Sequence, residues 1–242
     1  MKTEMIGDFD TRNKILLALR PDATAFLESR AVVKRLSEGQ VLYKDGELFT
    51  HAIFPHEGVI CLMAQMQDGR SVEKASIGNE GFIGIAFIFG GGKTISEPTV
   101  QVPGYASWIS IKDLDEAIEN YPCVRDAMMR YAKSLTVQLM ESVACNSLHK
   151  AEQRVSRWLL HAHDRVNSDT FQLTQQGISK VLGMRRATVS SVCNALMNAG
   201  ALKYTRGNVT ITDRSILEGK SCECYKRIRL AFANSNSPKA KD

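Results

Sequence analysis

Between about residue 31 and residue 112, apolar positions come in short runs broken by glycine. The runs are GQVLYKDGE (39–47), HAIFPHEGVICLMAQ (51–65), SVEKASIG (71–78), TVQVPG (99–104) and YASWISI (105–111). Partial alternation with a period of two, and turn signals such as Asp68-Gly69, predict an antiparallel sandwich or barrel of short strands rather than βαβ units. The run FIGIAFIF (82–89) fits a helix or a buried strand equally well, since periodicity does not separate the two.

The pattern changes after Ile111. Asp113 suits a helix N-cap, and Pro122 suits the first position of a second, longer helix. From there to about residue 147 there is no glycine or proline. Val124, Met128, Tyr131, Leu135, Leu139 and Val143 recur three or four residues apart, one apolar stripe on a helix of roughly 25 residues. At the usual rise it is roughly 37 Å long, more than a small barrel can cover. The stripe therefore predicts a homodimer interface, with packing along its own domain as the alternative. A further helix, AEQRVSRWLLHAHDRV (151–166), turns Val155, Trp158, Leu159 and Ala162 inward and Arg154 and Arg157 outward; Asn167-Ser168-Asp169 ends it.

Residues 171–212 hold two short helices and a hairpin. Thr174 caps the first, Ile178, Val181 and Leu182 face in, and Gly183 ends it. The second starts near Arg185, turns Val189, Val192, Leu196 and Met197 inward, and stops at Ala199-Gly200. ALKYTRGNVTIT then makes two short strands about Arg206-Gly207-Asn208. Two helices joined by a tight glycine turn and followed by such a wing form a winged helix-turn-helix. Arg185 and Arg186 lie in the first turn of the second helix, where the macrodipole disfavours a cation by ~0.3–1 kcal/mol each. Phosphate oxygens or guanine edges would offset that cost. Thr188, Ser190 and Ser191 continue the outward face as short donors.

Charge supports this placement. Residues 1–149 carry 15 Lys/Arg against 19 Asp/Glu, whereas residues 150–233 carry 14 against 6. The basic balance sits almost wholly in one segment, as a polyanion-binding domain requires; composition alone would also fit RNA or an anionic membrane surface. No window approaches the ~18 apolar residues of a membrane span, the charged start MKTEMIGDFDTRNK has no secretory pattern, and the six cysteines are scattered. These features predict a cytoplasmic protein with free thiols.

The segments LTQQGISKVLGMRRATVSSVCNAL and YTRGNVTI, with GNEGFIG (78–84), AEQRVSRWLL and CECY (222–225), resemble the Crp/Fnr family of bacterial regulators, in a proteobacterial branch with similar RRATV and CECY segments. The resemblance covers most of the chain. It implies an α+β protein: a cyclic-nucleotide-binding-like β-roll (1–118), a dimerisation helix (119–148), a winged helix-turn-helix (149–233) and a disordered tail (234–242). It further implies a homodimer on a near-palindromic site in double-stranded DNA, with RNA polymerase as a further partner. On this alignment Arg186 reads a base, while Gln175, Gln176, Arg185 and Thr188 clamp phosphates. Arg206 in the wing should hold a phosphate too, with Ser190 and Ser191 auxiliary to base readout. Relatives with well-known sites often carry Glu at the position of Ala187 and Arg at that of Ser191, so their half-site does not transfer.

Other chemistries fit poorly. GGGKT (90–94) lacks the earlier P-loop glycine, Phe87 standing there, and Pro98 follows too soon for a phosphate-binding helix. The Gly-Glu and Arg-Ser pairs that hold a cyclic nucleotide fall on Gly84-Ile85 and near Ser96-Glu97-Pro98, and no arginine occurs between Arg70 and Arg125. The pocket lining (Phe82, Ile83, Ile85, Phe87, Ile88, Phe89) is apolar, so conventional cAMP binding is not expected, and any effector is unidentified. The first cysteine, Cys61, comes too late for the family's iron–sulfur motif, and His51 and His56 give no basis for haem. Cys145 and His149, His161 and His163, and Cys222 and Cys224 form close pairs, but no segment completes a ligand spacing, so no metal and no cofactor are assigned. Cys193 reads as a buried thiol. The chain is read as no enzyme; a ligand-gated regulator, or a signalling module whose helix-turn-helix contacts protein, is the alternative.

Overall fold

The computed structural model describes residues 11–235. Two short helices, α1 (Lys14–Leu17) and α2 (Pro21–Arg30), lead into a roll built from β1 (Val32–Leu36), β2 (His51–Gln65), β3 (Ser71–Ile77) and β4 (Glu97–Ser110). The antiparallel order is β1-β4-β2-β3. The segments TVQVPG and YASWISI merge into the single strand β4, and β2 keeps the predicted bounds 51–65. The expected strand at 39–47 is absent. That segment makes only the bridge Val41↔Thr99, because Gly39 and Gly46 both take positive φ and turn the chain. FIGIAFIF resolves into a bridge at Ile83 and the short helix α3 (Ile85–Ile88).

Helix α4 (Ile111–Asn120) is capped by Ser110, not Asp113. The Ser110 hydroxyl accepts from the Asp113 N–H and donates to the Asp113 carboxylate at 2.5 Å, a reciprocal cap. Pro122 opens α5 (Pro122–Leu148), 27 residues and roughly 40 Å long. Beyond it come α6 (Ala151–His163), β5 (Thr170–Gln172), α7 (Gln175–Leu182), α8 (Arg186–Asn198), β6 (Leu202–Thr205), β7 (Asn208–Ile211), α9 (Arg214–Lys220) and α10 (Glu223–Ser235). Asn234 and Ser235, expected in the tail, continue α10; the rest of that expectation, 236–242, lies outside the described residues.

The stripe on α5 is divided. Val124, Met128, Tyr131 and Leu135 are buried in the chain's own core, where Phe82 from the roll and Ile228 and Phe232 from α10 cover them. Along the same contact the Ser134 hydroxyl donates to the Ala231 carbonyl at 2.8 Å and Arg130 Nε to the Ser235 carbonyl at 2.9 Å. Those four residues therefore do not form a free dimer face. Leu139 and Val143 do stay exposed, and Met129 and Met140 join them on the outer side of the helix.

His56, buried in the roll, accepts from the Arg12 and Asn13 N–H groups at Nδ1 (3.1 and 3.3 Å). That network puts its proton on Nε2, 2.7 Å from the Ser107 hydroxyl. Burial draws its pKa down to about 4. Since the unfolded imidazole titrates near ~6.5, the unfolded chain binds the extra proton between those values, and stability falls as pH drops through that window. The slope should approach ~1.4 kcal/mol per pH unit for this one site. Urea midpoints taken between about pH 7 and 4 should show it, and His56→Gln should flatten it.

Candidate nucleic-acid interface

Three local signals build the helix-turn-helix. The Thr174 hydroxyl accepts from the Gly177 N–H at 3.0 Å, fixing the start of α7. Gly183 ends it in the left-handed region (φ 60°), and the Ser179 hydroxyl reaches the Met184 carbonyl at 2.7 Å to lock the turn. Ile178, Val181, Leu182, Val189 and Leu196 are buried as expected, and Cys193 joins them; burial raises its thiol to about 11, which leaves it an inert packing group.

Helix α8 starts at Arg186 with Arg185 as its N-cap residue, and no side chain caps it. Arg185, Arg186, Thr188 and Ser191 are exposed and Ser190 is half-buried. The uncapped N–H groups and both guanidinium groups therefore face outward together. Thr174, Gln175, Gln176, Arg186, Tyr204 and Gly207 line one groove of about 400 Å³. The starts of α7 and α8 thus converge with the wing. The wing turn places Arg206 at φ 49° and Gly207 at φ 83°, both in the left-handed region that a two-residue hairpin requires. Arg206 is the only non-glycine residue with positive φ among the described residues. Asn or Gly would suit the position better, and its exposed guanidinium is what they lack. Gln176 also borders a second cleft toward the roll, shared with Lys180, Glu38 and Glu97.

The DNA-binding unit is seated on the roll by polar groups that the sequence did not single out. Arg165, just beyond α6, reaches the Glu80 carboxylate with Nη2 at 2.6 Å and Nε at 3.1 Å. Trp158 Nε1 donates to Glu73 Oε2 at 2.8 Å, and the Cys61 thiol donates to the same oxygen at 3.0 Å. Arg157, expected to face out, is buried, because α6 lies between the helix-turn-helix and α10 rather than along a free surface.

The roll holds an apolar cavity of about 440 Å³, lined by Phe82, Ile83, Ile85 and Phe89 as expected, and by Leu135 and Leu139 from α5. Phe87 and Ile88 pack into the adjoining core instead. The one charged group in the lining is Lys74, whose Nζ is held on the Ile95 carbonyl at 2.6 Å. No arginine lines it, and Gly84-Ile85 places no carboxylate there.

A cyclic nucleotide-binding domain model matches residues 33–121, and a Crp-like helix-turn-helix domain model matches residues 153–219. FixK2 from Bradyrhizobium japonicum is similar in structure, with a TM-score of 0.68 at 15% identity over 79% of this chain and 98% of that one. So is TTHB099, a CRP-family transcriptional regulator of Thermus thermophilus, with a TM-score of 0.63 at 19% identity over 79% and 99%. The c-di-GMP-responsive global regulator CLP of Xanthomonas campestris gives 0.62 at 13% over 80% and 100%. No curated protein sequence gives a significant match. At these identities the structures establish the fold, and the two domain matches, in this order and spanning well over half of the chain, establish the family: the protein belongs to the Crp/Fnr family of DNA-binding transcription regulators and is not an enzyme.

Proposed function

We propose that this regulator acts as a homodimer on a near-palindromic site in duplex DNA, that Arg186 reads a base in each half-site, and that it does so without the conventional cAMP contacts. The observation that carries this reading is the convergence of Arg186, Gln175, Gln176 and the Arg206-Gly207 turn at one exposed edge of a basic domain. Gln175, Gln176, Arg185, Thr188 and Arg206 hold phosphates in this scheme; Ser190 and Ser191 assist at the bases. The absence of arginine and of the ribose-binding carboxylate from the cavity speaks against a cyclic phosphate there. A second reading has its own support: the 440 Å³ apolar cavity beside α5 suits an apolar effector that would bias this helix. The reading also implies a cytoplasmic location, contact with RNA polymerase, and membership of the branch with RRATV and CECY segments.

The dimer would form through the outer face of α5, where Met140 and Val143 are 68% and 69% exposed. Met140→Lys with Val143→Glu should give a folded monomer by analytical ultracentrifugation and weaken operator binding. An unchanged dimer would move the interface elsewhere.

Selection of genomic fragments on the purified protein at two salt concentrations, with and without cyclic nucleotides, tests the whole scheme. One palindromic motif without added nucleotide is the expected result. A motif recovered only with cAMP would overturn the effector-free reading, and steep salt dependence with no motif in either arm would overturn sequence-specific recognition. Arg206→Gly separates the wing from base readout. It should leave wing stability equal or higher by up to about 1 kcal/mol, since the left-handed penalty goes. It should weaken all DNA sequences alike and flatten the slope of log affinity against log salt by about 1 per protomer.

A further inference from the structure

We propose that Cys145, His149, Cys222 and Cys224 form a closed, tetrahedral binding site for one divalent transition-metal ion of the zinc class, stapling the end of α5 to the junction of α9 and α10. The sequence shows only two incomplete pairs. The fold makes them one cluster, in which all four donor atoms lie within 4.8 Å of one another.

The spacing suits coordination. Cys145 Sγ lies 3.5 Å from Cys222 Sγ, and Cys224 Sγ lies 3.7 Å from His149 Nδ1. Bonds of ~2.3 Å to sulfur and ~2.0–2.1 Å to nitrogen give tetrahedron edges of about 3.8 Å between sulfurs and about 3.6 Å from sulfur to nitrogen. The same Sγ···Sγ distance is far beyond the ~2.05 Å of a disulfide, and all three cysteines are free and buried. Thiolate and imidazole donors favour zinc-class ions over magnesium or calcium, and four protein ligands with no open position mark a structural rather than a catalytic site.

The surroundings supply what such a site needs. His149 Nε2 lies 3.3 Å from Glu223 Oε2, which orients the ring so that Nδ1 faces the sulfurs. Three thiolates on a divalent ion leave a net charge of −1. Arg157 supplies the complement: it is 4% exposed, its Nε has no hydrogen-bond partner, and no carboxylate pairs with it among the described residues. The cluster also gives the CECY segment a purpose that DNA recognition leaves open. Cys222 and Cys224 bind the ion while Tyr225 anchors the start of α10 through its hydroxyl, which donates to Asp164 Oδ2 at 2.9 Å. Because α5 carries the proposed dimer face and α10 ends the DNA-binding domain, the ion fixes one to the other.

Metal analysis of the full-length protein, isolated with zinc in the medium under reducing conditions and then desalted, tests the site. About one zinc per chain is expected, and cobalt replacing it should give the ligand-field and thiolate charge-transfer absorption of a tetrahedral ion. Cys222→Ser and Cys224→Ser should lower the metal to below about a tenth of an equivalent, while Cys123→Ser leaves it unchanged. His149→Ala, at a partly exposed ring, keeps the test open should the cysteine variants not fold: it should shift the cobalt spectrum and weaken zinc retention in a folded protein. Reduced protein that retains no zinc and gives no tetrahedral cobalt spectrum would overturn the proposal. So would metal content indifferent to both Cys222→Ser and His149→Ala, or a Cys145–Cys222 disulfide in freshly isolated, metal-free protein.

Discussion

Arg165→Met should lower the stability of the folded chain by ~3–5 kcal/mol, read as a shift of the urea midpoint. The loss is large because the partner is left behind. Arg165 and Glu80 are 4% and 6% exposed, and besides its two contacts with the carboxylate the guanidinium donates to the Ser76 hydroxyl at 2.8 Å and the Ser76 carbonyl at 3.1 Å. Burial alone would lower the Arg165 pKa; the Glu80 charge overrides it and holds the guanidinium above its usual value. Removing the cation leaves a buried carboxylate without its counter-charge, with the Gly78 N–H at 3.2 Å still donating to it. The GNEG turn is shaped for this pair, since a Cβ on Gly78 would collide with the Arg165 side chain and one on Gly81 with the Tyr131 ring.

The double change Arg165→Met with Glu80→Leu should regain most of that stability, because a buried pair replaced by apolar groups of similar volume is often neutral or better. The single variant thus measures an unpaired charge, and the double variant asks what the pair is for. With it gone, Trp158 to Glu73, the Gly58 N–H to the Arg165 carbonyl and the Asn167 N–H to Glu57 remain as polar ties between this end of the domain and the roll. A double variant as stable as the parent but altered in DNA affinity would assign the pair to domain orientation. A single variant losing less than about 1 kcal/mol would mean that water reaches Glu80 and that the two domains part in solution.

Features set by neighbours in sequence were legible, and those completed by distant residues were not. Thr174, Gly183 and Gly200 punctuate α7 and α8, and Arg206-Gly207 turns the wing; each acts within a few residues, so the helix-turn-helix could be read directly. In sequence the α5 stripe is one surface, because spacings of three and four define a face and say nothing of what covers it. Ile228 and Phe232, about 100 residues on, take its first half, leaving Leu139 and Val143 to the outside. Arg157 and Arg165 show the same limit for charge. On a helical wheel a cation reads as solvent-facing until its counter-charge is known, and for Arg165 that is Glu80, 85 residues earlier. The proposed site residues Arg185, Arg186, Thr188 and Ser191 face outward as their positions predict, because each inward position nearby is filled by an apolar residue.

Arg186→Ala should weaken the preferred site by ~1–3 kcal/mol per half-site, about 5- to 150-fold, and relax base preference at one position. In the proposed dimer the residue occurs twice, so the expected loss per operator is about double. A cation is costly where Arg186 stands. Arg186 opens α8 at the positive end of the helix, with no carboxylate in its first turn and no capping side chain. An isolated protein gains nothing from that placement, whereas a helix whose first turn enters the major groove gains a bidentate contact with guanine. Arg186→Lys sharpens the test, since ammonium keeps the charge but not the planar fork. It should hold the salt dependence of binding near that of the parent while losing base preference almost as fully as alanine. The opposite pattern, a lysine variant with parental sequence preference or an alanine variant that only flattens the salt slope, would make Arg186 a phosphate clamp. Readout would then fall to Thr188, Ser190 and Ser191, whose short side chains can reach base edges only if α8 lies deeper in the groove.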